Sequence, residues 1–324
     1  MTTIKALGEQ GLIQLLRQYC SDAIGDDAAI AGMTTGDRQM VVTTDMLVDG
    51  VHFSDRTTSA EDVGWRAAAV NLSDLAAMGA EPWGLVMAVG LPADTTVAWI
   101  EGVYRGFREC LQTYGGELMG GDTVRSPIRT LSVTAFGQVA NVQIIRRDRA
   151  RVGDAIVITG AHGLSKAGLE LLLNPDLATN LDPDLVQEAK CHHQRPIPRF
   201  DAIAVLQMIT QEITQELVVP AIAGMDSSDG LGDAIAQICR ASGVGAEIDW
   251  ENLAIPPIVQ NLAGDRARDW VLYGGEDFEL VLFMPFEIAN KFVEALPSAM
   301  IIGQAIAPNR SNLEISMASA FQHF

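Results

Sequence analysis

The sequence has no glycine–lysine pair. Lys5, Lys166, Lys190 and Lys291 are its lysines, and none follows a glycine. That excludes a phosphate-cradling Walker A loop, whose lysine must follow a glycine. There is no His-Arg-Asp catalytic loop, no His-Glu-x-x-His and no Gly-x-Ser-x-Gly, so the protein-kinase, zincin and serine-hydrolase layouts are excluded as well. Cysteine is sparse and scattered, at Cys20, Cys110, Cys191 and Cys239, with no Cys-x-x-Cys. Zinc sites and a disulfide framework are not expected, and a reducing compartment fits best. Basic charge is scarce, 22 Lys and Arg against 41 Asp and Glu, for a net charge of −19. Such a surface does not suit DNA, RNA or anionic membrane, where Lys and Arg must neutralise phosphate. No apolar run reaches membrane-spanning length, and Met1-Thr2-Thr3-Ile4-Lys5 lacks a signal-peptide pattern. The chain reads as soluble and cytoplasmic.

What is present is a 324-residue chain, 48% hydrophobic, ample for a packed core and for more than one domain. Apolar periodicity predicts helices over residues 9–20, 61–78, 96–114, 184–192 and 199–212, and from 228 or 229 toward 241. A Leu-rich helix ending at Leu173 follows Gly160-Ala161-His162-Gly163. Thr58 with Glu61 reads as a capping box for the second helix, Gly79 as its C-cap, and Pro82 as a stop. Strands are expected over 39–44, 83–91, 129–139, 155–159, 244–249, 280–284 and 301–307. Residues 174–184, with two prolines, read as an exposed loop. A shift toward Arg and Asp around 146–154 marks a boundary between residues 1–145 and 146–324. The pattern is mixed α/β in two halves, with no internal repeat.

The chemistry lies in short aspartate-centred motifs: Gly25-Asp26-Asp27-Ala28-Ala29, Thr43-Thr44-Asp45, Asn71-Leu72-Ser73-Asp74, Gly120-Gly121-Asp122-Thr123, Met225-Asp226-Ser227-Ser228-Asp229-Gly230 and Gly274-Gly275-Glu276-Asp277. Carboxylates on turns are hard oxygen ligands suited to Mg²⁺ and polyphosphate. Each motif also has a plain reading. Asp27 reads as a turn residue or a ligand, and Asp45 as a solvated strand end or a ligand flanked by two threonines. Asn71 and Asp74, three apart on a helix, share a face. The surrounding alanines point Asp74 at a close neighbour rather than at bulk water. Asp226 and Asp229 bracket two serines where a helix is expected to start. One of them suffices as a cap, leaving the other for a cation beside a helix N-terminus able to take phosphate oxygens. Gly120-Gly121-Asp122 reads as a glycine turn presenting N–H groups to phosphate. Glu276 reads as a hairpin turn or as a carboxylate facing a substrate. His52 follows the Thr-Thr-Asp strand, and Arg146 and Arg147 are possible phosphate partners.

Together, and in this order, these residues resemble the thiamine-monophosphate kinase family, of the superfamily that includes aminoimidazole ribonucleotide synthetase, selenophosphate synthetase and a hydrogenase maturation factor. The resemblance spans essentially the whole chain. It is most specific at Thr43-Thr44-Asp45…Gly50-Val51-His52-Phe53, Met225-Asp226-Ser227-Ser228-Asp229-Gly230-Leu231 and Gly274-Gly275-Glu276-Asp277-Phe278. No Cys lies in an N-terminal glycine-rich loop and the chain ends in Phe324, unlike two of the sibling families. The resemblance implies two α/β domains, with the N-terminal sheets of two subunits pairing into a barrel as a homodimer. It implies direct in-line transfer from ATP to thiamine monophosphate, the last step to thiamine diphosphate, with several Mg²⁺ ions. Carried over, Asp27, Thr43, Thr44, Asp45, Asp74, Asp122, Asp226 and Asp229 match metal ligands. Tyr104, Gly121, Asp122, Arg147 and Ser228 match nucleotide contacts, and His52, Glu276 and Phe321 match substrate contacts. Asp122 alternates with Asn in the family, and Phe321 stands where Trp is common. The alternatives are a sibling ATP-dependent enzyme, a non-catalytic nucleotide-binding regulator, and an acidic protein whose aspartates are only caps and turns.

Overall fold

A computed structural model describes residues 11–16, 26–33, 37–214 and 221–308. Residues 11–16 are helical, within the first expected helix. Cys20, Phe321 and the C-terminal tail lie outside the described residues.

The first half builds a five-stranded sheet from β1 (Ala29–Met33), β2 (Arg38–Val48), β3 (Glu81–Leu91), β4 (Leu118–Arg125) and β5 (Thr130–Ala140), ordered β1-β2-β5-β3-β4. All its pairings are antiparallel except β3 with β4. Along β5, buried residues alternate strictly with half-buried ones, as on a sheet with one covered face. The covered face carries Val41, Thr43, Leu47, Met87, Leu131 and Val133. Helices α1 (Ala60–Ala77) and α2 (Val97–Tyr114) belong to the same half and share its core. Met46, exposed to 54%, lies on the other, open face.

Helix α1 is rich in alanine, which favours helix. Ser59, rather than Thr58, is its N-cap: the Ser59 hydroxyl accepts from the Asp62 N–H and donates to the Asp62 carboxylate. The capping box is thus Ser59 with Asp62, one residue beyond the expected pair. Gly79 follows the C-cap Met78 at φ +71°, the left-handed step that glycine takes freely. Pro82 lies inside β3. Helices α1 and α2 approach so closely that a Cβ on Gly64 would sit 1.9 Å from the Val103 carbonyl oxygen, and one on Gly106 1.7 Å from that of Glu61.

The second half holds a five-stranded sheet of β6 (Ala155–Ile158), β7 (Ala223–Asp226), β8 (Gly245–Ile248), β9 (Leu280–Met284) and β10 (Met300–Ile306), ordered β7-β9-β6-β10-β8. Its strands β6, β7 and β9 are buried at every position, because helices cover both faces. One core includes residues of α3 (Leu164–Leu173), α6 (Leu231–Ser242), α7 (Pro257–Ala263) and α8 (Ala267–Tyr273). The other includes residues of α5 (Phe200–Thr214), α9 (Phe286–Ala295) and the last turn of α1, through Ala76 and Ala77. Helix α4 (Pro183–Gln194) lies between α3 and the first half.

Two further expectations need correction. The segment Gly120-Gly121-Asp122 is extended edge strand in β4, not a turn. The helix expected at 228 or 229 begins at Leu231 with Gly230 as N-cap, and Asp226 closes β7. Neither Asp226 nor Asp229 is therefore a helix cap, and the two serines form the turn between strand and helix.

Candidate active site

Four elements bring carboxylates to one point. Asp27 leads into β1, Asp45 lies on β2, Asp74 on the last turns of α1, and Asp226 ends β7. One oxygen from each of Asp27, Asp74 and Asp226 lies within 4.8 Å of the other two. The Thr43 hydroxyl is 2.5 Å from Asp74 Oδ2 and 3.2 Å from the Asp27 carbonyl oxygen. Asn71 accepts from the Asp45 N–H at 3.1 Å, and Ser73 donates to Asp226 Oδ2 at 2.6 Å. Asn71, Ser73 and Asp74 thus place one turn of α1 against both halves of the chain.

Burial and mutual repulsion push these acids up. Burial, aided by Asp226 and Asp26 and opposed by Arg147, raises Asp27 to about 7. Burial and then Asp226 raise Asp45 to about 6. Burial, then Asp45, Asp226 and Asp27, raise Asp74 well above the usual carboxylate range. Burial raises Asp226 too, against hydrogen bonds from Ser73 and Ser228. Asp27 Oδ2 is buried with no hydrogen-bond partner among the described residues. A compact set of hard oxygen donors, one of them orphaned, fits a divalent cation such as Mg²⁺.

Arg147 is the cation beside this cluster. Its guanidinium pairs with Asp27 and donates to Gln237 Oε1 at 2.6 Å, while its main-chain N–H donates to Asp26. Arg146 instead turns to Asp148. Ser228 N–H lies 3.4 Å from Asp226 Oδ1, and Asp229 is half-buried in the same turn. His162 and Ser227 brace that turn from below. His162 Nδ1 faces the Gly160 carbonyl and Nε2 the Ser227 hydroxyl, and burial lowers its pKa to about 4, so the ring is neutral.

Glu276 joins the same region. It is a non-glycine residue at φ +59°, and its N–H donates to the Ser228 carbonyl at 2.6 Å. Its carboxylate accepts from Arg66 at 2.5 Å. His52 lies in the loop after β2, where its Nδ1 accepts from the Val48 N–H at 3.1 Å. The ring proton is then on Nε2, a donor suited to a phosphate oxygen. Arg129 fastens this loop, bonding Asp49 and Asp55 and lying 4.7 Å over the Trp99 ring.

Some matched residues are not brought together. Thr44 faces away from Thr43 and Asp45, toward Thr134 across the sheet. Gly121 lies in the cross-strand row of Asp45 through Val133 and Met87, three strand spacings away. At roughly 4.8 Å per spacing that is about 14 Å. Asp122, in the next row with Ala88, Ser132 and Met46, lies on the open face. Tyr104, on α2, lines a surface cleft of about 730 Å³ with Arg105, Arg108 and Gln112.

Ser73, His162 and Ser227 stand inside motifs legible in the sequence but carry no role there, and Arg66 and Gln237 are not singled out by it. Arg66 alone carries a signal there, as one charged residue inside the otherwise uncharged stretch 63–70.

The AIR synthase related protein, N-terminal domain, matches residues 25–139, and the corresponding C-terminal domain matches 151–316. The fold and the carboxylate cluster therefore belong to an AIR synthase-related protein of two domains. Within that class, the chain belongs to the thiamine-monophosphate kinase family. It is 45% identical to the thiamine-monophosphate kinase of Synechococcus elongatus over 99% of this chain and 98% of that one. It is 37% identical to that of Prochlorococcus marinus over 98% and 96%. A solved structure of AaThiL complexed with AMPPCP and TMP superposes with a TM-score of 0.85 at 31% identity, covering 100% of this chain and 99% of that one. No helix among the described residues is long and apolar enough to cross a membrane.

Proposed function

We propose that this chain phosphorylates thiamine monophosphate with ATP and Mg²⁺, yielding thiamine diphosphate and ADP by direct in-line transfer in the cytoplasm. The observation that carries this reading is the convergence of Asp27, Asp74 and Asp226 from three separate elements within 4.8 Å. In a family of thiamine-monophosphate kinases, a buried cluster of hard oxygen donors suits the metal that phosphoryl transfer requires. Bound Mg²⁺ supplies the positive charge that offsets repulsion between two polyanions. Asp27, Asp45, Asp74 and Asp226 would hold it, with Thr43 and Asp229 beside them; the Thr44 side chain, on the opposite sheet face, leaves that residue only its main-chain oxygen to offer.

The remaining work falls to the chain's own groups. Arg147 faces the phosphates from beside Asp27, and Ser228 presents its turn to the nucleotide. His52 donates from Nε2 to the acceptor phosphate, Glu276 meets a cationic or hydrogen-bonding group of the acceptor, and Phe321 is the aromatic position that the resemblance assigns to the acceptor. The attacking phosphate oxygen is already ionised near neutral pH, so no general base is needed. Residues 1–145 form the dimerisation and Mg/ATP-binding domain, and residues 146–324 complete the ATP and substrate site.

Tyr104, Gly121 and Asp122 serve the site of a second copy. Asp122 lies on the open sheet face, about 14 Å across the sheet from Met46, the chain neighbour of Asp45. A homodimer joined through those faces carries Asp122 toward the partner's cluster. The test is turnover of purified protein with ATP and Mg²⁺, with and without thiamine monophosphate. Matched thiamine diphosphate and ADP, abolished by EDTA, is the expected result. ATP turnover indifferent to thiamine monophosphate would overturn the reading.

A further inference from the structure

Helix α1 touches both ends of the site. Near its C-terminus Ser73 bonds Asp226 and Asp74 joins the carboxylate cluster. Two turns earlier, Arg66 reaches into the second half. Its side chain is 1% exposed, donates to Glu276 Oε1 at 2.5 Å and also bonds the His193 carbonyl. Its Nε has no partner among the described residues, so the guanidinium is held by those two acceptors. From Glu276 the connection returns to the cluster, because the Glu276 N–H donates to Ser228, two residues after Asp226. The ring runs from Arg66 to Glu276, Ser228, Asp226 and Ser73, then along α1 back to Arg66.

We infer that Arg66 is a positioning residue that aims the Glu276 carboxylate at the acceptor and sets its distance from the carboxylate cluster. This rests on the proposed acceptor role of Glu276. Glu276 needs such a holder because its left-handed backbone is unfavourable for a side-chain-bearing residue, and its side chain is one-third exposed. The neighbouring His193 cannot replace Arg66. Its Nδ1 is 3.6 Å from Glu276 Oε2 and 3.1 Å from the Ser165 hydroxyl. Burial, with Arg66 nearby, lowers its pKa to about 4, so it carries no charge at neutral pH. Arg66 is thus the cation fixed against Glu276, and its planar fork meets two acceptors in a way a lysine cannot. The rigid helix between Arg66 and Asp74 spans about 12 Å at 1.5 Å per residue. The acceptor carboxylate and the metal-binding carboxylates are thereby anchored to one rod.

The test is a double-mutant cycle with Arg66→Gln, Glu276→Gln and the pair, reading KM for each substrate, kcat and thermal stability. Arg66→Gln is expected to raise KM for thiamine monophosphate at least tenfold while KM for ATP moves less than twofold. In the Glu276→Gln background the same change should add less than twofold, because the carboxylate it aims is gone. Arg66→Lys, which keeps the charge and loses the fork, should recover only part of the loss and serves as the main variant if Arg66→Gln does not fold. An equal effect of the Arg66 change in both backgrounds, or an unchanged acceptor KM in folded variant, would make Arg66 a mere domain tie and overturn the inference. A wild-type protein without acceptor-dependent turnover would instead overturn the functional reading and this inference with it.

Discussion

At the scale of residues, four carboxylates share a buried volume with one fully formed arginine partner. Asp74 has no cationic partner there among the described residues and is raised by burial and by three other acids. Asp74→Asn should therefore cut phosphoryl transfer at least a thousandfold in a steady-state assay, with cation binding weakened. The same change should leave the metal-free protein's melting temperature at pH 8 unchanged or higher, because it removes a repelled charge. A melting temperature that falls along with activity would mean that the side chain is needed for folding. The pH dependence has a definite sign. Asp27 at about 7 and Asp45 at about 6 lie above their ordinary value of 3.8. Their contribution to stability is complete below pH 3.8 and is lost as pH rises through 6 to 7. His162 and His193, lowered from 6.5 to about 4, run the other way and lose stability as pH falls through that window. The two trends separate by difference. The rise in melting temperature on adding Mg²⁺ should be larger at pH 8 than at pH 5.5, where protons compete for the same oxygens.

At the scale of elements, α1 is the part on which the site depends. It is buried on nearly every side, by the first sheet, by α2 and by the second half. Its approach to α2 needs the missing side chain at Gly106, where a Cβ would overlap the Glu61 carbonyl. Because that neighbour is backbone, no rotamer change relieves the clash. Gly106→Ala should destabilise the protein by about 3 kcal/mol, measured by urea unfolding, although the substituted residue is remote from the cluster. Unchanged stability would show that α1 and α2 can separate without cost. Strands β5, β6 and β9 were readable as strands, and the structure adds that β5 is covered on one face and that β6 and β9 are buried throughout. Strand β4 was not readable: two glycines next to an aspartate have turn chemistry, and only pairing with β3 makes them extended.

At the scale of the whole molecule, the open face of the first sheet and the position of Asp122 make one prediction about assembly. If Asp122 serves the partner's cluster, Asp122→Ala and Asp74→Asn subunits should each be inactive alone. Mixed and re-paired, they should regain about a quarter of wild-type turnover, since half the dimers are mixed and each holds one intact site. Sedimentation of the mixture would confirm that pairing took place. No recovery in a re-paired mixture would place Asp122 outside the site.

The sequence by itself determined the chemistry available: a surplus of aspartates on turns and strand ends, no Walker lysine, and local periodicities that specify most helices and strands. Those properties depend on neighbours in the chain, where period and capping act. The resemblance to thiamine-monophosphate kinases also rested on residue order alone, and both family domains match. Only the tertiary structure decided which acids meet. Asp27, Asp74 and Asp226 converge because β7 of the second half packs against α1 of the first, a non-local contact with no signature in local sequence. Asp122 stands apart from Asp45 because β5 and β3 intervene, and strand order is set by long-range pairing. Arg66 was hidden for the same reason. A buried arginine acquires meaning only from the two acceptors it meets, and both are supplied by the distant half of the chain.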